Sequence, residues 1–211
     1  MANFLKNNAN TRSVSERDLL LSKYHSGRHN LLLVVLFTAI NVIFLLTESY
    51  TYFLFSASMP YVAVTLGMEF CGKFPAEYYY DVYGAGPEEL DFMDSTVFVF
   101  ALIIAFTIIA LYLISWFMAK KPRVGFMIFG LVLFVIDTGL MFWAYGFSVE
   151  NILDIIFHGW VIISLVNGII AYYKLKKLPP EEVVVEAEAA ATEAPAQTVS
   201  TLNGENIDES K

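Results

Sequence analysis

Long apolar runs, separated by short polar segments, dominate this chain. Four runs reach or approach the roughly 20 residues that a helix needs to cross about 30 Å of hydrocarbon. They cover residues 31–47, 96–119, 124–147 and 152–173. The pattern predicts an all-α integral membrane protein built as a four-helix transmembrane bundle, because such runs leave no polar face for water.

A fifth apolar stretch, residues 52–68 (YFLFSASMPYVAVTLGM), decides the number of crossings, and Pro60 lies at its centre. Lysine and arginine precede the first run, follow the second run and follow the fourth, whereas residues 48–95 contain only Lys73. Basic clusters stay on the cytoplasmic side. Four crossings satisfy this rule and five do not. Residues 52–68 are therefore predicted to be a re-entrant or interfacial segment, in a multi-pass protein of the cell membrane with both termini cytoplasmic.

The first 30 residues are polar and form a predicted cytoplasmic segment. Ser13 and Glu16 have capping-box spacing, and Gly27 is suited to closing a helix. We expect a short amphipathic helix on the inner membrane surface, the alternative being a frayed linker.

The membrane domain is predicted to cover residues 31–177, with an outer interfacial segment and loop at 48–95. Beyond it, residues 178–211 are rich in alanine, glutamate, threonine and proline and contain no aromatic residue. Such a composition buries too little apolar surface to offset the entropy of ordering. A disordered acidic cytoplasmic tail is the expectation. Much of the formal net charge of −8 comes from this tail and the outer loop.

Ionisable residues within an apolar span are costly and mark candidate sites. Asp137 lies in the third run, and Asp154 and His158 lie one turn apart in the fourth. Asn41 and Thr107 fall at a similar depth in the first two runs. The five residues form a candidate intramembrane polar site. Two interpretations stay open: a proton-titrating or ion-coordinating site, or polar contacts that fix the packing of the helices.

The outer loop, residues 69–95, combines tyrosines with carboxylates. A cation could be caged there by ring faces and acids, or the rings could rest at the membrane interface while the acids face water. The candidate interaction residues are Tyr78, Tyr79, Tyr80, Asp81 and Tyr83. Cys71 is the single cysteine, so an intramolecular disulfide is excluded.

Signatures of membrane catalysis are missing from the sequence: it has no Gly-x-Ser-x-Gly motif, no His-Glu-x-x-His motif and no phosphate-binding loop. We expect a protein that is not an enzyme, with no metal and no cofactor. Membrane topology already accounts for the basic residues, so nucleic acid is not an expected partner.

The runs LLLVVLFTAINVIFLLTESYTYFLFSASMPY, ALYLISWFMAKK and HGWVIISLVNGIIAYYKLKK resemble those of uncharacterised bacterial multi-span membrane proteins. The resemblance covers the membrane domain without the tail and implies no activity. Four spans with a large first outer loop are also found in claudins and tetraspanins. The paired loop cysteines of those families are missing, which argues against that assignment.

Two functions follow as hypotheses. The first is an accessory, scaffold or interaction subunit whose partners are the lipid bilayer and either another membrane protein or further copies of the same chain. The alternative is a small transporter or channel subunit that moves protons or cations past Asp137 and His158.

Overall fold

The computed structural model describes residues 16–49, 51–120, 123–146 and 152–178. Within these residues the chain is all-helical and contains no strand. The α-helices are α1 (Glu16–Leu46), α2 (Ser58–Phe70), α3 (Ala76–Tyr83), α4 (Ser95–Met118), α5 (Val124–Tyr145) and α6 (Ile152–Leu175), with a 3₁₀ turn at Pro87–Glu89. The predicted acidic tail, apart from Leu178, and Ser13 of the predicted capping box lie outside the described residues.

Four of these helices, α1, α4, α5 and α6, are long and apolar enough to cross a membrane. This confirms the predicted count of apolar spans among the described residues. The observed ends of α4, α5 and α6 lie within two residues of the predicted ones. At 13 residues, α2 is too short to be a fifth span, since it extends only about 20 Å.

The expected short N-terminal helix closed by Gly27 is not what forms. Instead α1 continues without a break for 31 residues, from Glu16 to Leu46. Gly27 is buried against α6, where an added Cβ would lie 3.0 Å from the carbonyl oxygen of Ser164. The glycine therefore permits a close approach of two helices. Its neighbours on both sides are good enough helix formers to carry the helix through it.

Large apolar side chains point outward along α4. Phe100, Ile103 and Phe106 are each more than half exposed, while the buried positions hold small or polar residues: Ala101, Ala105, Tyr112 and Ser115. A helix in water shows the opposite distribution. This arrangement suits a lipid surround, because small residues let helix backbones approach each other and large ones contact the acyl chains.

Two apolar clusters hold the bundle together. The first lies between α1, α4, α5 and α6 and includes Tyr24, Leu31, Val34, Tyr112, Met127, Phe134, Val161 and Leu165. The second lies between α1, α2 and α4 and includes Val42, Leu45, Val64, Met68 and Ala105. Gly67 of α2 contacts α4 so closely that an added Cβ would lie 2.5 Å from the Cβ of Ala101. Residues at the centre of the clusters are fully buried.

The chain between α1 and α2 turns back along α1. Ser49 N–H donates to the carbonyl of Phe44 at the end of α1, and Phe53 then pairs with Asn41. Ala57, the residue before α2, donates its N–H to Thr38 at 2.7 Å. Since Thr38 lies eight positions before Leu46, the chain has returned about 12 Å along α1 before α2 begins.

Pro60 is the third residue of α2, so it lies in the first turn and not at a break in the middle. The first N–H groups of a helix have no intrahelical acceptor, and the missing N–H of proline costs nothing there. Reversal of the chain occurs before Ser58, in the non-helical residues 51–57.

Candidate functional site

Asp137 of α5 caps the N-terminus of α2. Its Oδ2 accepts the N–H of Ser58 at 2.8 Å, and its Oδ1 accepts the N–H of Met59 at 2.7 Å. Only 1% of the side chain is exposed. The carboxylate supplies the partner that the free N–H groups of a first turn lack, and its charge opposes the positive end of the helix dipole. The sequence predicted a polar residue here, and the structure shows what it binds.

His158 of α6 faces the same carboxylate. Its Nε2 lies 3.6 Å from Oδ2 of Asp137, a distance for an ion pair and too long for a hydrogen bond. Its Nδ1 lies 2.8 Å from the carbonyl oxygen of Asp154, so Nδ1 is the nitrogen that donates. The ring stacks on Phe134, with centroids 5.0 Å apart. The expected approach of Asp137 and His158 is thus present.

The ring geometry leaves two states for the pair. With Nδ1 protonated, a second proton on Nε2 makes a cation whose N–H faces the carboxylate. Without it, the Nε2 lone pair faces the carboxylate, and no hydrogen-bond partner for Nε2 exists among the described residues. One proton therefore changes the contact between α5 and α6 from a repulsion to an attraction.

The side-chain amide of Asn41, on α1, bonds the main chain of residues 51–57, which run back along α1. It both donates to and accepts from this backbone, as the peptide groups of two paired β-strands do. Its Nδ2 donates to the carbonyl of Phe53 at 2.7 Å and to Oγ of Ser56 at 2.9 Å, and its Oδ1 accepts the Phe53 N–H at 2.8 Å. Together with Thr38, which accepts from Ala57, Asn41 satisfies backbone groups that are away from regular structure. Both α1 residues are buried.

The structure does not bring all five predicted polar residues together. Thr107 is exposed on α4, and its hydroxyl donates to the carbonyl of Ile103 on its own helix. Asp154 contributes its main-chain carbonyl to His158, not its carboxylate. The cluster around the start of α2 is therefore Asp137, His158, Asn41 and Thr38.

The residues from Glu69 to Asp94, called the outer segment after the predicted outer loop, are held by one buried tyrosine. Tyr79 is 1% exposed, packs edge-on against Phe92 with ring centroids 5.0 Å apart, and its hydroxyl reaches the carbonyl of Glu69 at 3.3 Å. Met93 N–H donates to the carbonyl of Phe70, which joins the end of the segment to the end of α2. Tyr79 is therefore part of the internal packing of this segment.

The other predicted tyrosines of this segment lie nearer its surface. Tyr80 and Tyr83 are about half exposed, Asp81 is exposed, and Tyr78 is partly covered by Phe74. The Tyr83 hydroxyl donates to the carboxylate of Glu69, and this hydrogen bond raises the pKa of Tyr83 to about 12. The last turn of α3 carries four exposed side chains, and we call this exposed turn the outer tyrosine face: Tyr80, Asp81, Val82 and Tyr83.

Asp94 fixes where the outer segment ends and α4 begins. Its carboxylate accepts the N–H of Thr96 at 2.8 Å and also the Thr96 hydroxyl, and these two bonds lower the pKa of Asp94. The Cys71 thiol lies 3.3 Å from the carbonyl of Asp94. The ends of α2 and α4 are thereby tied together at the acidic end of the bundle.

Basic residues cluster at the opposite end. Arg28 of α1 donates through Nε to the carbonyl of Trp116 at 3.1 Å, and its guanidinium lies 4.9 Å from the centre of the Trp116 ring. The Tyr24 hydroxyl donates to the carbonyl of Ala119 at 3.0 Å. Both bonds satisfy carbonyls at the C-terminus of α4, where a helix lacks its own donors and attracts positive charge.

Sequence reasoning missed Thr38, Ser56 and the main-chain N–H groups of Ser58 and Met59. Thr38 could have been found from its spacing of three positions before Asn41, which puts both on one helix face. The start of α2 carried a signal in Pro60, since proline is frequent in a first helical turn. Main-chain donors carry no sequence signal at all.

Among the described residues, no group of three or more histidine, cysteine, aspartate or glutamate side chains is arranged to hold a metal ion. The residues around Asp137 instead make contacts with one another and with main-chain groups. No protein-family model, curated protein or solved structure matches this chain.

Proposed function

We propose that this protein is a non-enzymatic, multi-pass subunit of the cell membrane that acts by association, as an accessory or scaffold subunit. It presents the outer tyrosine face to another membrane protein or to a second copy of the chain. The observation that carries the proposal is that the residues of this face stand on an internally packed and hydrogen-bonded support. Tyr79 and Phe92 pack together on the buried side of α3, while the exposed Tyr80 and Tyr83 donate their hydroxyls to the carboxylates of Glu88 and Glu69.

Exposed tyrosines on an ordered support are typical of protein interfaces. A tyrosine contributes a large contact area with little loss of rotamer freedom, and its hydroxyl finds partners at a polar rim. Asp81 of this face and the exposed carboxylates of Glu77 and Glu88 near it favour a partner with a basic surface. A loop that served only to connect two helices would need neither a helix nor a buried tyrosine of its own.

The proposal includes an orientation with the basic end in the cytoplasm and the acidic segment outside, supported by the separation of charge between the two ends. In this orientation α2 is a re-entrant helix that starts at the depth of Asp137 and returns to the outer surface at Phe70. Asn41, Thr38 and Asp137 support this placement, because non-helical backbone within a membrane needs protein partners.

Photo-crosslinking tests the association. A photoreactive amino acid at position 83 should give a discrete adduct in intact cells, whereas the same group at Tyr173, equally exposed at the basic end, should not give that adduct. Substituting Tyr80→Ser in the position-83 protein should reduce the adduct, and mass spectrometry would identify the partner. Absence of any adduct at position 83, with a monomer in mild detergent, would contradict the proposal.

Cysteine labelling tests the orientation. In a Cys71→Ser background, an impermeant thiol reagent should label Asp81→Cys in intact cells and label Lys176→Cys only after the cells are opened. Met59→Cys should resist the reagent from both sides, as expected for a residue at the buried start of α2. Labelling of position 176 from outside would reverse the topology.

A second candidate function is a small transporter or channel subunit in which Asp137 and His158 carry protons or cations. The observation that favours it is the buried His158 Nε2, which faces a carboxylate and lacks a hydrogen-bond partner among the described residues. A titratable pair at membrane depth is a common element of proton relays.

Flux in proteoliposomes separates the two candidates. Asp137→Asn and His158→Gln would abolish a pH-dependent flux if the pair conducts, while both variants still fold. Loss of folding without any flux in the native protein would instead support the structural role of the pair. The control is Thr107→Val, which changes a lipid-facing hydroxyl of α4 and should alter neither flux nor folding.

A further inference from the structure

A groove of about 370 Å³ runs between α1 and α6, away from the cluster at Asp137. Its lining changes from charged to polar to apolar residues along its length. Lys23 and Lys174 lie at the basic end, Ser26 and Asn167 follow, and Ile163 and Trp160 lie towards the middle of the bundle. Within the lining there is no carboxylate to neutralise the two ammonium groups.

The groove is open on its lipid side. Lys23, Ser26, Asn167 and Lys174 are all exposed, and so is Ile163, at 60%. Its floor is closed where Asn30 of α1 donates to Ser164 of α6 and where Gly27 packs against the same helix. The amide of Asn167 and the hydroxyl of Ser26 are thus exposed along the groove, between its lysines and its apolar end.

The length of the groove matches one leaflet of a bilayer. Trp160 and Lys174 are 14 positions apart on one helix, which is about 21 Å. Half of a bilayer of about 40–45 Å, headgroups included, is nearly the same distance. A molecule with an anionic head and an acyl chain would therefore meet the lysines with its head and the apolar end with its chain.

We propose that the α1–α6 groove binds one anionic phospholipid. Its phosphodiester lies between the ammonium groups of Lys23 and Lys174, its glycerol and ester oxygens contact Ser26 and Asn167, and one acyl chain lies along Ile163 towards Trp160. Basic pockets between membrane helices recognise lipid headgroups through the same combination of charge and donors. The site is independent of the outer tyrosine face, so either proposal can fail without the other.

Native mass spectrometry of the detergent-purified full chain tests the site, with phosphatidylglycerol as the probe and phosphatidylcholine for comparison. We expect one tightly bound phosphatidylglycerol per chain and weaker binding of the zwitterionic lipid. Lys23→Gln together with Lys174→Gln should weaken this binding about thirtyfold, since each lysine near an anionic lipid contributes about fivefold. The matched control, Lys120→Gln with Lys176→Gln, removes the same charge at the same end but outside the groove lining and should change binding less than twofold.

A second variant tests the groove without changing its charge. Asn167→Trp fills the middle of the groove and should displace the lipid. Trp143→Phe, at an exposed position of α5, should not displace it. Equal binding by the lysine pair and its control would overturn the proposal. Full displacement of the lipid by inorganic phosphate, which needs no acyl site, would also overturn it. So would a lipid-free dimer in which a second copy of the chain fills the groove.

Discussion

The polar cluster at Asp137 and the outer tyrosine face contain the same kinds of groups, carboxylates beside aromatic rings, yet they differ in what those groups contact. Asp137 is 1% exposed, and both of its oxygens bind main-chain N–H groups of α2. Asp81 and Tyr80 on the outer face are exposed. The buried acid and rings therefore hold helices together, whereas the exposed ones stay at the surface, where the proposed partner would bind.

An ionisable residue inside an apolar helix is therefore not by itself a sign of transport. An isolated buried carboxylate is costly. Here the cost is offset locally, because the start of α2 needs acceptors that its own backbone cannot supply. The remaining unusual group is Nε2 of His158, which lies 3.6 Å from that carboxylate and has no hydrogen-bond partner among the described residues.

The largest effect is expected from Asp137→Leu. It leaves two buried N–H groups of α2 without acceptors and His158 without its counter-charge, at a cost of about 3–5 kcal/mol in the free energy of unfolding. Unfolding by SDS in mixed micelles measures this. Asp137→Asn should lose less, because one amide oxygen still accepts. Ile136→Leu, a neighbouring exposed position, is the control and should be neutral. A neutral Asp137→Leu would mean that the cap is dispensable.

Asn41→Leu should have the next largest effect, about 2–4 kcal/mol, because the N–H and carbonyl of Phe53 both lose their partner. Asn41→Asp keeps the acceptor for the N–H but sets a buried carboxylate oxygen against the Phe53 carbonyl, so it should be at least as destabilising. The same SDS titration gives both values. If Asn41→Leu were stable, residues 51–57 would have to satisfy their backbone groups in another way.

Tyr80→Ser combined with Tyr83→Ser should change the free energy of unfolding by less than about 0.5 kcal/mol, as exposed substitutions usually do. Partner crosslinking from a third position on the face, Val82, should nevertheless be lost. Tyr79→Ser is the contrasting variant: its ring is buried, so it should destabilise the whole outer segment. Substantial unfolding of the Tyr80/Tyr83 double variant would show that the two regions are not distinct.

The smallest effect concerns the ionisation of Tyr83. The pKa of Tyr83 is raised from 10.0 to about 12 by the hydrogen bond to Glu69, so its contribution to stability is complete below pH 10 and is lost as the pH rises to about 12. Tyrosinate absorbance follows this transition, with Tyr83→Phe identifying its share of the signal. Glu69→Gln should move the transition down towards 10. An unchanged transition would place the cause elsewhere.

Much of the fold follows directly from the order of apolar and polar residues. A run of 24 residues such as α4 has one stable arrangement in hydrocarbon, a helix, because every backbone group must be satisfied within the segment. The approach of Asp137 and His158 was also predictable, since two neighbouring helices joined by a short connection bring residues of equal depth together. The charges on Lys73 and the basic clusters predicted four spans and not five.

Other features depended on long-range packing. The continuity of α1 through Gly27 could not be predicted, because the residue that makes glycine useful there, Ser164, is more than a hundred positions away. The role of Asp137 likewise required the main-chain N–H groups of Ser58 and Met59, which look the same in every sequence. The side-chain types predicted a polar cluster, and only the tertiary structure decided that Asp137 would cap a helix.

Sequence by itself thus determined the number of apolar helices and the residues that are expensive to bury. Both depend on the free energy of transferring each side chain from water into an apolar surround, which is a property of the residue itself. The tertiary structure decided which backbone groups those residues serve, which tyrosine of the outer segment is internal, and where α1 and α6 leave a groove beside Lys23 and Lys174. These outcomes depend on distances between segments far apart in the chain. Such distances are set by close packing of whole helices and not by the preference of any one residue.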